Sequence, residues 1–182
     1  MLISIYIIYG KSIYLVKPGI FVYRGGTMIK QKDLNIMAHL RANGREQLTA
    51  LSKKTGIPVS TIFDRLRHYQ KDIITRFVPL LNFSVLGYGA WVNVMLKVPK
   101  ETREDLKDYL YKHPNVNSLY KINNGFDFQA EVIFKGINEL ETFMELLDDR
   151  FGAKARGVYY IMEGVKRETF MADPQQVVLV TD

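Results

Sequence analysis

The residues best equipped for chemistry lie between positions 45 and 71. Ser60, Thr61, Asp64, Arg65, Arg67, His68 and Lys71 recur at three- and four-residue intervals, and Arg45, Lys53 and Lys54 stand just upstream. An arginine fork matches the two acceptors on a guanine edge, hydroxyls bond to base edges or phosphate oxygens, and lysines bond to phosphates. In this set Arg65 suits a guanine, Ser60 and Thr61 suit base or phosphate, and Arg45, Lys53 and Lys54 suit phosphates. Asp64 repels phosphate, so it either accepts from cytosine N4 or pairs with an arginine.

Catalysis has weaker support. Acids gather at Glu101, Glu104, Asp105 and Asp108, and again at Asp148 and Asp149. They fall on the solvent faces of predicted helices, with no Ser-His-Asp set and no glycine-rich phosphate loop beside them, so no enzyme is expected. The chain has no cysteine, which removes disulfides, thiolate zinc sites and cysteine nucleophiles. His39 and His68 lack a second ligand at metal-binding spacing. No cofactor is expected.

Charge agrees with a polyanionic partner for one part of the chain. The net charge is +6. Residues 1–29 carry three Lys/Arg and no acid, residues 30–82 carry ten against four, and residues 83–182 carry twelve against fifteen. A basic segment thus precedes a mildly acidic one.

The basic segment reads as three helices. Asp33 can cap a helix beginning at Leu34, with Leu34, Met37 and Leu40 inward, and Asn43-Gly44 stops it. A second runs from about Gln47 to Thr55 and ends at Gly56, where a left-handed residue is wanted. The third runs from about Val59 to Lys71 behind Pro58, with Val59, Ile62, Phe63, Leu66 and Tyr69 as its apolar stripe. Two helices joined by a short glycine-containing turn form a helix-turn-helix, which lays its second helix in the DNA major groove.

Residues 73–80 read as a short linker or wing strand. Beyond Gly87 and Gly89 the order is strand (91–98), helix (101–112), strand (116–122), an Asn123-Asn124-Gly125 turn, strand (127–135), helix (137–151), strand (158–165). This is the split β-α-β-β-α-β arrangement of ferredoxin-like domains. The first and last of these strands are apolar or aromatic on both faces. A second copy covering the open face would explain the surplus, and a two-fold dimer would present its helices one DNA turn apart.

Residues 1–27 differ from the rest, being rich in Ile and Tyr and free of acids. Their longest apolar run is far below the about 20 residues of a membrane span, and the order of charge and apolar run is wrong for a signal peptide. A pair of β-strands is one reading. The other is a non-native or disordered leader. Ile and Tyr have AT-rich codons, and Arg24-Gly25-Gly26 can be encoded by a ribosome-binding sequence just before Met28, the expected natural start. The expected organisation is therefore a leader (1–27), a helix-turn-helix domain (28–72), a linker strand (73–86) and a ferredoxin-like domain (87–182). The class is α+β with a winged-helix-like head.

The segments DLNIMAHLRANGR (33–45), LTALSKKTGIPVSTIFDRLRHY (48–69), LGYG (86–89) and NNGFDFQAEVIF (123–134) in this order resemble the Lrp/AsnC, or feast/famine, regulators, over about residues 30 to 170. The resemblance implies a cytoplasmic, sequence-specific transcription regulator with double-stranded DNA as partner. It also implies a homodimer that can assemble to an octamer, and DNA binding modulated by an amino acid or similar molecule. Effectors in that family lie near the turn between the second and third strands of the sensing domain, which implies Asn124, Gly125 and Asp127 here. A glycine lets backbone amides approach a carboxylate, and an acid holds an ammonium group; an ordinary hairpin turn is the alternative. Pro58 replaces the family's frequent capping Ser, Asn124 a common Thr, and Ser52 and Thr55 the usual Ala and Val. The alternative function is an architectural DNA-binding protein without effector response.

Overall fold

A computed structural model describes residues 5–8, 11–17, 20–22 and 28–177, with side chains from residue 29 onward. Arg24-Gly25-Gly26 and residues 178–182 lie outside the described residues. The chain forms two compact units: Met1–Pro79 with Lys166–Asp182, and Leu80–Val165. Residues 166–177 group with the first unit. Among the described residues no helix is long and apolar enough to cross a membrane.

The first unit opens with an antiparallel sheet in the order β1 (Ile5–Ile8), β2 (Lys11–Lys17), β3 (Ile20–Val22), β4 (Met28–Lys30). The described parts of residues 1–27 are paired strands, one of the two readings of that segment. Its β-branched and aromatic composition favours this outcome.

Helix α1 (Gln31–Ala42) follows β4 directly. Asp33 does not precede this helix, as expected, but sits in its first turn. Its carboxylate accepts the Lys30 backbone N–H at 2.7 Å, satisfying one of the donors a helix start leaves open. Helix α2 (Leu48–Thr55) ends at Gly56, whose φ of 66° is the left-handed cap the sequence called for. Helix α3 (Val59–Asp72) starts after Pro58. The three close on Ile36, Leu40, Leu51, Ile57 and Ile62, with Leu48 and Leu66 against them. Each fully buried aliphatic side chain in this set contributes about 2 kcal/mol.

Residues 73–82 form no strand. A strand needs a paired neighbour, Pro79 lacks an N–H to offer one, and none of the described strands pairs with this stretch.

The second unit has β5 (Ala90–Lys97), α4 (Arg103–Lys112), β6 (Val116–Lys121), β7 (Phe128–Phe134), α5 (Ile137–Phe151) and β8 (Lys154–Tyr160). Its sheet runs β6-β7-β5-β8 and is antiparallel throughout, the ferredoxin-like order. Alternation along β5 sends Ala90, Val92, Val94 and Leu96 into a core with Phe128, Ala130, Val132 and Phe134 of β7. Leu106 and Leu110 of α4 and Leu140, Phe143 and Leu147 of α5 cover that face.

Candidate nucleic-acid interface and hairpin site

Pro58 fixes the chain as it enters α3, and the Ile62 amide donates to the Pro58 carbonyl at 3.0 Å, closing the first turn. Ile62 and Tyr69 are buried and define the inward side of the helix. Ser60, Asp64, Arg67, His68 and Lys71 are all exposed and lie opposite that side, as the sequence placed them. Thr61 is half-buried at the margin. Arg45, Lys53 and Lys54 are exposed. Lys54 is held by Glu46 at 3.0 Å, and this ammonium draws the Glu46 carboxyl below its ordinary range. The outcome is a helix with hydroxyl, carboxylate, imidazole and guanidinium groups outward and cations on the adjoining turn, the chemistry of base edges and phosphates.

Arg65 departs from this pattern. Its Nη1 donates to Asp33 Oδ1 of α1, and Asp33 is 4% exposed. One guanidinium nitrogen of Arg65 is therefore engaged by a buried carboxylate, in competition with the guanine contact expected of this residue, and the side chain is 26% exposed. Periodicity carried the signal, because Arg65 lies three residues after Ile62 and four before Tyr69, on the inward side. Tyr69 packs beside the pair. Burial pushes its hydroxyl well above the ordinary tyrosine range, and the neighbouring Asp33 carboxylate pushes the same way.

The apolar stripe was also drawn too wide. Val59 is 38% exposed and Phe63 52% exposed. The inward stripe is Ile62, Leu66 and Tyr69, flanked by Arg65.

In the second unit the Asn124-Gly125 turn is exposed, with φ of 61° and 87°. Two successive positive φ values are the hairpin geometry that favours Asn-Gly. Asp127 points elsewhere. It is 7% exposed, and one carboxylate oxygen accepts the Val98 N–H at 3.0 Å and faces Lys97 Nζ at 3.3 Å. The other oxygen meets Arg103 Nη2 at 2.8 Å. Burial alone would raise its pKa. The Val98 amide, Lys97 and Arg103 together outweigh burial and hold the carboxyl below its ordinary value. Two internal cations thus face the carboxylate for which the resemblance implied an effector ammonium. Asp127 ties the end of β5 and the start of α4 to the start of β7. The sequence hid this, since Asp127 lies far along the chain from Lys97 and Arg103.

The sheet face away from the helices carries Trp91, Asn93 and Met95 of β5, Gln129 and Glu131 of β7, and Tyr159 of β8, as the register requires. Glu131 gathers donors there: Trp91 Nε1 at 2.6 Å, Asn117 Nδ2 at 2.7 Å and Ser118 Oγ at 2.6 Å. Phe83 stacks edge-on to Trp91 at 5.8 Å.

Comparison with known proteins follows the same division. Residues 29–72 match the winged helix-turn-helix DNA-binding model, and residues 90–170 match the Lrp/AsnC ligand binding domain. The HTH-type transcriptional regulator FL11 of Pyrococcus horikoshii is 25% identical over 138 residues, which span 75% of this chain and 91% of that protein. Among solved structures, LrpC of Bacillus subtilis matches with a TM-score of 0.68 at 20% identity, covering 76% of this chain and 97% of that one. The Neisseria meningitidis regulator NMB0573, solved as its L-Met complex, matches with a TM-score of 0.69 at 21% identity, covering 76% and 93%. With both family models matched in order, and regulators of transcription as its relatives, the chain belongs to the Lrp/AsnC family of transcriptional regulators.

Proposed function

We propose that this regulator binds duplex DNA sequence-specifically through α3, as a homodimer, under control of an amino acid. The carrying observation is the outward face of α3. Ser60, Asp64, Arg67 and His68 offer donors and acceptors in sufficient variety to distinguish base pairs, beyond the plain positive charge that phosphates alone require.

Dimer formation draws support from the open sheet face, where Tyr159 is 58% exposed beside Trp91 and Met95. An uncovered aromatic surface of this kind fits a two-fold partner. For the effector, the support is the amino acid bound in the neisserial relative, together with the backbone amides at Asn124 and Gly125. Asp127, already paired with Lys97 and Arg103, is assigned to holding the hairpin in place.

Selection of binding sites from random duplex DNA, followed by affinity measurements at several salt concentrations against bulk competitor, tests the reading. A preferred duplex bound at least about a thousandfold more tightly than competitor supports it. Equal binding to every duplex would replace it with an architectural role. Calorimetry with the amino acids, L-methionine first, tests the effector.

A further inference from the structure

The face of α3 is not wholly polar. Val59 and Phe63 are one helical turn apart and 38% and 52% exposed. Single exposed apolar residues need no explanation. This pair is different in its setting. Val59, Phe63, Arg67 and Lys71 follow one another at four-residue spacing and so share one side of the helix. That side is apolar in the N-terminal half and cationic in the C-terminal half.

In a helix laid in the major groove, the N-terminal residues meet base edges, and cations beyond them are matched in charge to the phosphate rim. Only one apolar group projects from base edges in that groove, the C5-methyl of thymine. We infer that Phe63, supported by Val59, is a specificity-determining residue that packs on a thymine methyl in the DNA site. The inference rests on the reading of α3 as the recognition helix. It adds a contact with a stated base and a stated atom.

The experiment uses the full chain and the duplex it selects from a random library. Each thymine is replaced singly by deoxyuridine, which removes the methyl and leaves every hydrogen-bonding group. Affinity is measured at fixed salt for the wild type, Phe63→Ala, Phe63→Leu and Val59→Ala. The expected result is one thymine position where the wild type loses about fourfold on methyl removal, the worth of one methyl group taken from water. At that position Phe63→Ala loses nothing further and Phe63→Leu retains part of the loss, with the salt dependence unchanged because no phosphate is involved. Restoring the methyl as 5-methylcytosine opposite guanine at that position separates methyl contact from recognition of the A·T pair; recovered affinity relative to cytosine supports the inference.

Insensitivity of the wild type to every replacement overturns it. So does equal loss in the wild type and in Phe63→Ala. A change in oligomeric state in Phe63→Ala, with thymine sensitivity intact, overturns it too and gives Phe63 to a protein partner. Failure to select any preferred duplex would sink the recognition reading itself, an outcome distinct from these.

Discussion

Arg65 of α3 donates to the Asp33 carboxylate of α1, and Asp33 also accepts the backbone N–H of Lys30. One buried acid therefore fixes both the start of the first helix and the seating of α3. Arg65→Ala would leave Asp33 buried without its cation, at a cost of about 1–3 kcal/mol. The expected result is faster amide hydrogen exchange in α1 and α3, and a lower unfolding midpoint for the first unit. Arg65→Lys restores part of the loss. An Arg65→Ala protein as stable as the wild type would show that the pair does not hold α3.

Asp127 gives a second prediction. Asp127→Asn removes the charge that faces Lys97 and Arg103 and weakens the joint between β5, α4 and β7. The chain's one tryptophan, Trp91, lies in this unit, so its fluorescence reports on it. A loss on the order of 2 kcal/mol is expected at neutral pH. The folded pKa lies below the ordinary 3.8, so the charge contributes stability in full above that value. The contribution disappears as pH falls through the folded value. The gap between wild type and variant should therefore close under acid conditions. A gap that stays constant with pH contradicts the assignment.

Much of the fold was legible because it rests on local patterns. Gly56 marks a left-handed cap, Asn124-Gly125 marks a tight turn, and Phe128, Ala130, Val132 and Phe134 alternating along β7 mark a covered sheet face. The outward residues of α3 were legible for the same reason, since three- and four-residue spacing fixes a side. The misses share a different cause. Arg65 and Asp127 are charged residues that the sequence assigned to ligands, and their ion-pair partners lie between 24 and 32 residues away along the chain. No local pattern announces a long-range ion pair. The strand expected at 73–80 is absent for want of pairing, which composition does not supply.

His113 carries a pH prediction for the second unit at milder acidity. Its ring stacks against Tyr109 at 5.4 Å and Phe143 at 4.8 Å, and its Nδ1 accepts the Asn115 N–H at 3.2 Å. Burial lowers its pKa from the ordinary 6.5. A histidine held neutral in the fold contributes stability that is complete above the ordinary value and is lost as pH falls through the folded one. The denaturant midpoint followed by Trp91 should decline below about pH 6.5 in the wild type, and less steeply in His113→Phe. Parallel curves for the two proteins would rule out His113 as the source.

Gly157 bears on the open sheet face. A methyl group added there would sit 2.6 Å from the Tyr159 ring, so the ring lies over the glycine and no larger residue fits beneath it. The ring is exposed and can swing away, so Gly157→Ala should leave thermal stability nearly unchanged. The aromatic surface proposed to meet a second copy would change. Sedimentation equilibrium should show weaker self-association in Gly157→Ala than in the wild type, and unaltered association would separate Tyr159 from the dimer contact.

Arg41 holds the returning C-terminal segment within the first unit. Its Nε donates to the Phe170 carbonyl at 2.9 Å, and its Nη2 donates to the Glu168 carbonyl at 3.0 Å and to the Glu168 carboxylate at 3.1 Å. Glu168 and Met171 adopt positive φ angles of 52° and 57°, backbone conformations that cost energy in residues other than glycine. Arginine contacts that satisfy two carbonyls are one source of the compensation, and burial of Val177 is another. Arg41 is largely exposed, so Arg41→Ala should reduce stability by only about 1 kcal/mol. Its main effect should be local: residues 168–177 should exchange amide hydrogens faster and become more sensitive to protease, while α1 to α3 keep their protection. Arg41→Lys, with one cationic centre in place of a fork, should recover little of it. If the segment stayed protected in both variants, Val177 and its neighbours would be sufficient to hold it, and Arg41 would be dispensable to the attachment.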